Sequence, residues 1–600
     1  MRRVGVGFPE GLKLLHFYAE FLAAPNLYTF TQPFSPFFAL CALRARACVF
    51  PIFGKCCQPA CSLIAQRSAT IANPIAHRAP QVVATNMWTA PQWHLPARCR
   101  EGDVNALFQY AGTWHLLQQW HLRPHSAVGH STSPDLLRWT RVADALSAGG
   151  SAEEQCFDGS ASLLDLNGTR TPVLMIDGGC GRKAAGHLPC MESSGNGSTG
   201  GVVAFPTQLT DADLASWRSL GPTVFLGCDS SAGPGPIFRL NDSPSSPLSL
   251  VAIHGGGEAR FEAVDGTLTR WRMADPSFLA HRGGGGGLWH KLPLNVDGVT
   301  GRRWPTHIFQ TDTGRGDGRP DFVFGALRNG RFTNASAPVA VDVGGSVAYG
   351  QLSSSGGTGV GGVAGDPRTL HVSWLVDRAQ PVSPNCAVGG QLTSFRDLRY
   401  DPRIETLVET PIAEYRALRG QAIFKSRGVL LRADEPLAPL ASMGAQQAAH
   451  LDAELTVALP PESHNGSIQL GVRCEAASSS SADCRAGGRI ELRIGAGDAR
   501  GWRRLAMSVT TPFERQVAEC VMMGAADSWA LPVRIMTDSR SLEVFVAHGR
   551  CVFSGVLLGS ARGGALVAAA QRSDARLSSA IGWPLRAPDS AWPGPAQQRD

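Results

Sequence analysis

Between about residue 86 and residue 410 the chain repeats one pattern, two short apolar runs on either side of a turn, and no other feature limits its possible folds as much. ALFQYAGTWHLLQQW, SASLLDLNGTRTPVLMIDGG and SLSLVAIHGGGEARFEAVDG are three examples. Short alternating runs punctuated by Gly, Asn and Asp read as strand, turn, strand. A single hairpin cannot bury its own apolar face, so the units must stack on one another. SPDLLRWTRV (133–142) and DADLASWRSL (211–220) also share D-L-x-x-W at the end of successive units. Repeated all-β units of this size suit a propeller, in which each four-stranded blade buries a face against the next. The expected fold class is therefore all-β.

PIAEYRALRG (411–420) reads as a short helix, with Pro411 in the first turn and Gly420 at the stop, and marks a boundary. The alternating runs that follow, among them HLDAELTVAL, SIQLGVRC and VRIMTDSRSLEVFVAHGRCVFSGVLL, suit a β-sandwich. A chain of 600 residues is too long for one core in any case. Three segments are expected: an N-terminal extension over 1–85, a propeller over 86–415 and a sandwich over 421–590.

The N-terminal extension reads as a leader or a disordered arm. Glu10 and Glu20 are its only acidic residues, set among scattered arginines and lysines. Its apolar piece FSPFFALCAL (34–43) has the length of a signal-peptide core, but it starts far from Met1 and is too short to span a bilayer. A formal charge of +6 with 17% charged residues and no Lys/Arg block gives no case for a nucleic-acid partner. Cys180 with Cys190 and Cys474 with Cys484 bracket short polar loops, which suits disulfides better than metal sites. Sequons at Asn167, Asn196, Asn241, Asn334 and Asn465 lean the same way, toward a secretory or vacuolar-type route. His115 and His130 lack a third ligand at metal spacing, so neither a metal nor another cofactor is expected.

GDVNA leads without a gap into FQYAGTWHLLQQW (108–120), and together they resemble the N-D-P-N-G turn and first strand pair of the β-fructofuranosidases, glycoside hydrolase family 32. Further resemblances follow in that family's order: VGHSTSPDLLRW (128–139), CFDGSASLLDLNGTRTPVLMIDG (156–178), WRMADPSF (271–278, similar to F-R-D-P), LHVSWLVD (370–377) and, in the C-terminal part, TDSRSLEVFVAHGRCVFS. They cover most of residues 90–585. The resemblance implies a five-bladed β-propeller followed by a β-sandwich, with the site in the funnel at the propeller axis and a small-molecule carbohydrate, sucrose or a fructan, as substrate. It places Asp103 on the nucleophile and Asp275 on the carboxylate that steadies the transition state. Gln119, Phe157 and Asp158 fall on or beside sugar-binding positions. Retaining hydrolysis would then pass through a fructosyl-Asp103 intermediate, with a second, protonated carboxyl about 5 to 5.5 Å from the first.

The family's acid/base glutamate has no counterpart. Its closest match, TGRRWPTHIF (300–309), offers Trp304 in one frame and Arg303 in another, and neither serves as a general acid near neutrality. Ala274, Val128 and Gly102 also replace residues of the family motifs. Asp312, Asp317, Glu258 and Glu262 are the nearby carboxyls, and spacing selects none of them. Read without the resemblance, Asp103 and Asp275 would be turn aspartates. Two functions stay open: a fructoside hydrolase, with transfer to a sugar hydroxyl as a variant, and a carbohydrate-binding homologue weakened by loss of the acid.

Overall fold

The computed structural model describes residue 94 and most of 96–588; residues 1–93 and several internal segments, among them 148–158, 177–197, 280–287, 292–306 and 312–320, lie outside the described residues. The chain parts into Met1–Asn86 and Met87–Asp600, and the described residues belong to the second unit.

Strands β1 (Glu101–Tyr110), β2 (Thr113–Leu122) and β3 (His125–Ser133) open that unit as an antiparallel meander. The β1–β2 turn is two residues long, Ala111 and Gly112, both at positive φ (48° and 85°). That conformation matches the right-handed twist of the flanking strands. The same device recurs at Asn167-Gly168 (53° and 79°), between β4 (Gly159–Leu166) and β5 (Thr169–Ile176). Strands β6 (Ser198–Pro206) and β7 (Trp217–Leu226) complete this second repeat. A third repeat comprises β8 (Phe238–Arg239), β9 (Leu248–His254), β10 (Gly257–Ala263) and β11 (Arg270–Leu279).

The D-L-x-x-W echo proves to have a third copy that lacks the aspartate. Leu136, Leu214 and Leu268 each sit just before the last part of a repeat, at φ of 66°, 46° and 60°. A left-handed leucine costs about 1 to 3 kcal/mol. Burial offsets that cost, because each leucine side chain is at most 1% exposed and a buried leucine contributes about 1.5 to 3 kcal/mol. The kink brings round the tryptophan three residues on: the indole Nε1 of Trp139 donates to the carbonyl of Leu136 at 2.9 Å, and that of Trp271 to Leu268 at 2.8 Å.

Strands β12 (His307–Thr311) and β13 (Asp321–Arg328) pair in a smaller sheet. Beyond them β14 (Val347–Ser354), β15 (Thr369–Asp377), β16 (Arg396–Asp401) and β17 (Thr406–Pro411) form a further group, and β14 runs parallel to β1 through Ser353–Leu107 and Ser354–Phe108. The first strands of successive repeats meet. Strand β4 packs against both β1 and β14, and the amide of Ile237, at the head of β8, donates to Ser162 Oγ of β4 at 2.6 Å.

The segment 411–420 contains a 3-10 helix, Ala413–Leu418, and not an α-helix; Pro411 closes strand β17 two residues before it. Tyr415 anchors this turn in the core, where its hydroxyl accepts the amide of Phe395 at 2.8 Å.

Two six-stranded sheets follow. One is ordered β18 (Phe424–Leu431), β29 (Ala575–Pro584), β20 (His450–Leu459), β25 (Trp529–Asp538), β26 (Ser541–Val546), β27 (Cys551–Val556). The other is ordered β19 (Ala438–Met443), β28 (Gly564–Gln571), β21 (Ser467–Cys474), β22 (Gly488–Gly497), β23 (Trp502–Thr510), β24 (Arg515–Met523). Leu455, Ile535 and Val544 of the first sheet share a core with Leu470, Leu492 and Met507 of the second. The expected Cys474–Cys484 disulfide is present, and Cys520–Cys551 links β24 to β27, one sheet to the other. Cys180 and Cys190 lie outside the described residues.

Phe545 and Met536 of the sandwich join Phe395, Leu398 and Tyr415 in one apolar cluster. Inside it Arg396 is fully buried and donates to Asp342 (2.7 Å), Glu409 (3.0 Å) and Glu543 (2.8 Å). Among the described residues no helix is long and apolar enough to cross a membrane.

Candidate active site

Asp103 lies near the start of β1, and the local register explains how its side chain is aimed. Glu101 pairs with Trp120 and Val104 with Gln118, so Gly102 and Asp103 together face the single residue Gln119. Val104 and Ala106 then pair with the adjacent Gln118 and Leu117, which leaves Asn105 as a second extra residue. Such bulges bend a strand and redirect its side chains, and they cluster at the rims of closed β structures. Asp103 is part-buried, with one carboxyl oxygen enclosed, while Asn105 and Gln119 are buried at 0% and 2% exposure. The structure therefore brings Asp103 and Gln119 together at the head of a strand that packs beside the first strands β4 and β14.

A layer of neutral, polarisable rings supports that strand. His115 stacks on Phe108 of β1 at 4.8 Å between ring centres, and its Nδ1 lies 3.0 Å from His130 Nε2. Burial lowers the His115 pKa to about 4 and holds that of His130 well below the usual histidine range. Near neutral pH both rings are uncharged, and a single proton shared between the facing nitrogens serves as their hydrogen bond. This pair packs against Phe108 of β1.

Asp275 takes a different place. It lies on β11, the fourth strand of the third repeat, opposite Arg260 of β10. Its Oδ1 accepts the amide of Ser277 at 3.1 Å, the local bond of a turn-type aspartate. The sheet runs β8-β9-β10-β11-β7-β6-β5-β4, so the strands that meet the other repeats form its two ends and β11 lies inside it. Four strand spacings separate β11 from β4, roughly 19 Å along the sheet. The sequence expectation that Asp275 stands with Asp103 at the axis is not what this topology gives. At the head of β8, where the third repeat approaches β4, stand Gly235, Pro236 and Ile237, none of them acidic. Leu268 and Trp271 were the overlooked signal: read as a third kink and its following tryptophan, they mark WRMADPSF as the last strand of a repeat.

Of the other carboxyls considered, Glu258 is buried on β10 and Glu262, on the same strand, is ion-paired with Arg260. Both stand two strands from β8 in the sheet order. Phe157, Asp158, Arg303, Trp304, Asp312 and Asp317 lie outside the described residues.

No family model matches the chain, and no curated protein matches its sequence. Solved structures do match its fold. A fructan 1-exohydrolase IIa from Cichorium intybus superposes with a TM-score of 0.64 at 14% identity, over 83% of this chain and 97% of that one. An exo-inulinase from Aspergillus awamori gives 0.60 at 16%, over 83% and 99%. A family-32 β-fructofuranosidase from Bombyx mori gives 0.54 at 16%, over 83% and 94%. The chain thus has the fold of these glycoside hydrolases, a β-propeller followed by a β-sandwich, across nearly their whole length.

Proposed function

We propose that the chain is a glycoside hydrolase of the β-fructofuranosidase type, acting on sucrose or a fructan with Asp103 as nucleophile. The observation that carries this reading is the position of Asp103: part-buried on a bulge at the head of a first strand, with Gln119 across from it, in a fold shared with enzymes named for fructans, inulin and fructofuranosides. We read the propeller as five-bladed, with β1, β4, β8, the strand Leu288–Lys291 that pairs with β12, and β14 as first strands. The carboxylate attacks the anomeric carbon of the fructosyl unit, the leaving sugar departs with the bonding pair, and water then cleaves the fructosyl-Asp103 ester. Gln119, Phe157 and Asp158 contact the sugar. Two disulfides in the sandwich support folding in an oxidising, secretory or vacuolar-type compartment.

The transition-state role expected of Asp275 does not suit a residue on β11 that bonds its own turn, and residues 300–309 contain no Asp or Glu. A missing acid typically costs about 10² to 10⁴ in rate, so turnover of sucrose is slow. These two observations favour the second reading, a sugar-binding homologue with little hydrolysis. Fructose release from sucrose and from inulin, compared between the native chain and Asp103→Ala, separates the two. Slow release abolished in the variant supports the hydrolase. Negligible release by both, with sugar binding that Gln119→Ala weakens, supports the binding protein.

A further inference from the structure

His94 is a single residue of the lead-in to β1, yet it bonds two carboxylates of the sandwich. Its amide donates to Asp538 Oδ2 at 2.7 Å, its Nδ1 lies 3.1 Å from the same oxygen, and its Nε2 lies 2.6 Å from Glu543 Oε1. Three residues on, Pro96–Ala97 pairs with Gln391 and Gly390 of the propeller, and β1 then begins at Glu101. The lead-in to Asp103 is therefore held by the sandwich at His94 and by a propeller edge at Pro96.

The geometry fixes the charge of the ring. An ionised carboxylate only accepts hydrogen bonds, so a ring with a carboxylate oxygen at each nitrogen satisfies both contacts only when both nitrogens carry protons. Both carboxylates are kept ionised by other donors. Glu543 also accepts from Arg396 (2.8 Å) and from the amide of Ser394 (2.7 Å), and Asp538 faces His450 Nδ1 at 2.7 Å. Beyond them Arg396 binds Asp342 and Glu409, and Glu409 faces His371 Nδ1. Ser541 Oγ lies 3.4 Å from His94 Nδ1, the charge of Glu543 bears on the Tyr415 hydroxyl, and Arg473 is close enough to Asp538 to be influenced by its charge. Three buried carboxylates, Asp342, Glu409 and Glu543, surround the buried Arg396 guanidinium, and Asp538 stands on the other side of the imidazole, so a neutral His94 would withdraw a positive charge from between Asp538 and Glu543.

We propose that His94 is a proton-operated latch: as an imidazolium it bridges Asp538 and Glu543 and pins the lead-in to Asp103 on the sandwich, and when it loses its proton it lets that lead-in go. Burial acts to lower the pKa of His94, but the bonds to Asp538 and Glu543 outweigh it and the net shift is upward. The sign follows. A group whose folded pKa is raised stabilises fully below its unfolded value, about 6.5, and loses that contribution as pH rises through the folded value. The depressed carboxylates, Glu543 to about 2, set the acid limit, since their contribution fades as pH falls below their unfolded values of about 4. The latch is closed in mildly acidic solution and opens in alkali. It does not depend on the sugar chemistry proposed above.

The amide of His94, which donates to Asp538, reports release directly. Its hydrogen exchange is measured on the full chain from pH 7 to 9.5, normalised to an unstructured peptide of the same sequence. In the native chain the normalised rate should rise with pH, approaching tenfold per unit above the folded pKa, as expected for release of one proton. In His94→Gln the normalised exchange of the amide at position 94 should be fast and independent of pH. A flat rate in the native chain, or the same rise in the variant, overturns the latch. If the variant does not fold, NMR of ring-labelled histidine in the native chain decides. A doubly protonated His94 at pH 7 supports the latch, and a neutral ring there overturns it.

Discussion

Replacing Arg396 with Met, which keeps much of the side-chain length and removes the charge, should cost about 3 to 5 kcal/mol at pH 7. The guanidinium is 0% exposed and lies within 3.0 Å of oxygens on Asp342, Glu409 and Glu543, and it also bonds Ser554 Oγ. At an effective dielectric of about 20, each such pair is worth about 4 kcal/mol of attraction, most of which offsets the cost of removing the charges from water. Methionine leaves that desolvation cost in place on three carboxylates and removes the attraction. Urea unfolding of the native chain and the variant at pH 7 and pH 4 measures the effect. In the native chain Glu409 and Glu543 have depressed pKa values. Their contribution is present above an unfolded value of about 4.3 and is lost as pH falls. In the variant the same buried groups take up protons readily, so the difference between the two proteins should shrink at pH 4. A loss below about 1 kcal/mol at pH 7, or one that is no smaller at pH 4, would refute the argument that buried carboxylates left without their cation dominate the cost.

Other substitutions act on separate parts of the molecule. Trp271→Ala removes a fully buried indole that fixes a left-handed leucine; calorimetry should show a loss of about 3 to 5 kcal/mol, and a loss under about 1 kcal/mol would deny the kink its structural role. Cys520→Ser with Cys551→Ser opens a link spanning 31 residues, and the chain-entropy relation gives about 3 to 4 kcal/mol, read as a lower unfolding midpoint in urea. Asp275→Asn should leave kcat/KM for sucrose within about twofold, because the side chain bonds its own turn on β11. A fall of about a hundredfold or more would return this residue to the reacting centre.

The sequence made the repeat grammar legible because hairpin turns and alternation are local properties. Asn167-Gly168 and Ala111-Gly112 form the tight turns that their neighbours require, and Cys474 pairs with Cys484 across a short loop. That Asp103 and Gln119 face each other follows for a related reason: they lie on two strands joined by a single turn, so their juxtaposition is set by local sequence. The place of Asp275 is not set so locally. An Asp-Pro pair looks the same on a first strand or a fourth, and only the order of whole repeats tells them apart. The Leu268 kink carried that order, but without the preceding aspartate it did not stand out. Arg396, His94 and their carboxylates were invisible because the partners of each lie far apart in the chain, as His94 and Asp538 do at a separation of 444 residues.

In the proposed function the Asp103 carboxylate bonds to the fructosyl carbon. This step is tested most directly with an activated fructoside, whose leaving group departs without a proton and so needs no general acid. Formation of the ester should then outpace its hydrolysis, since residues 300–309, where the resemblance places the acid/base, hold no carboxyl to activate water. Acid quenching, proteolysis and mass spectrometry should find one fructosyl residue on the peptide containing Asp103, and none in Asp103→Ala. An adduct on another residue, or release of the leaving group at the same rate in both proteins, would contradict the assignment.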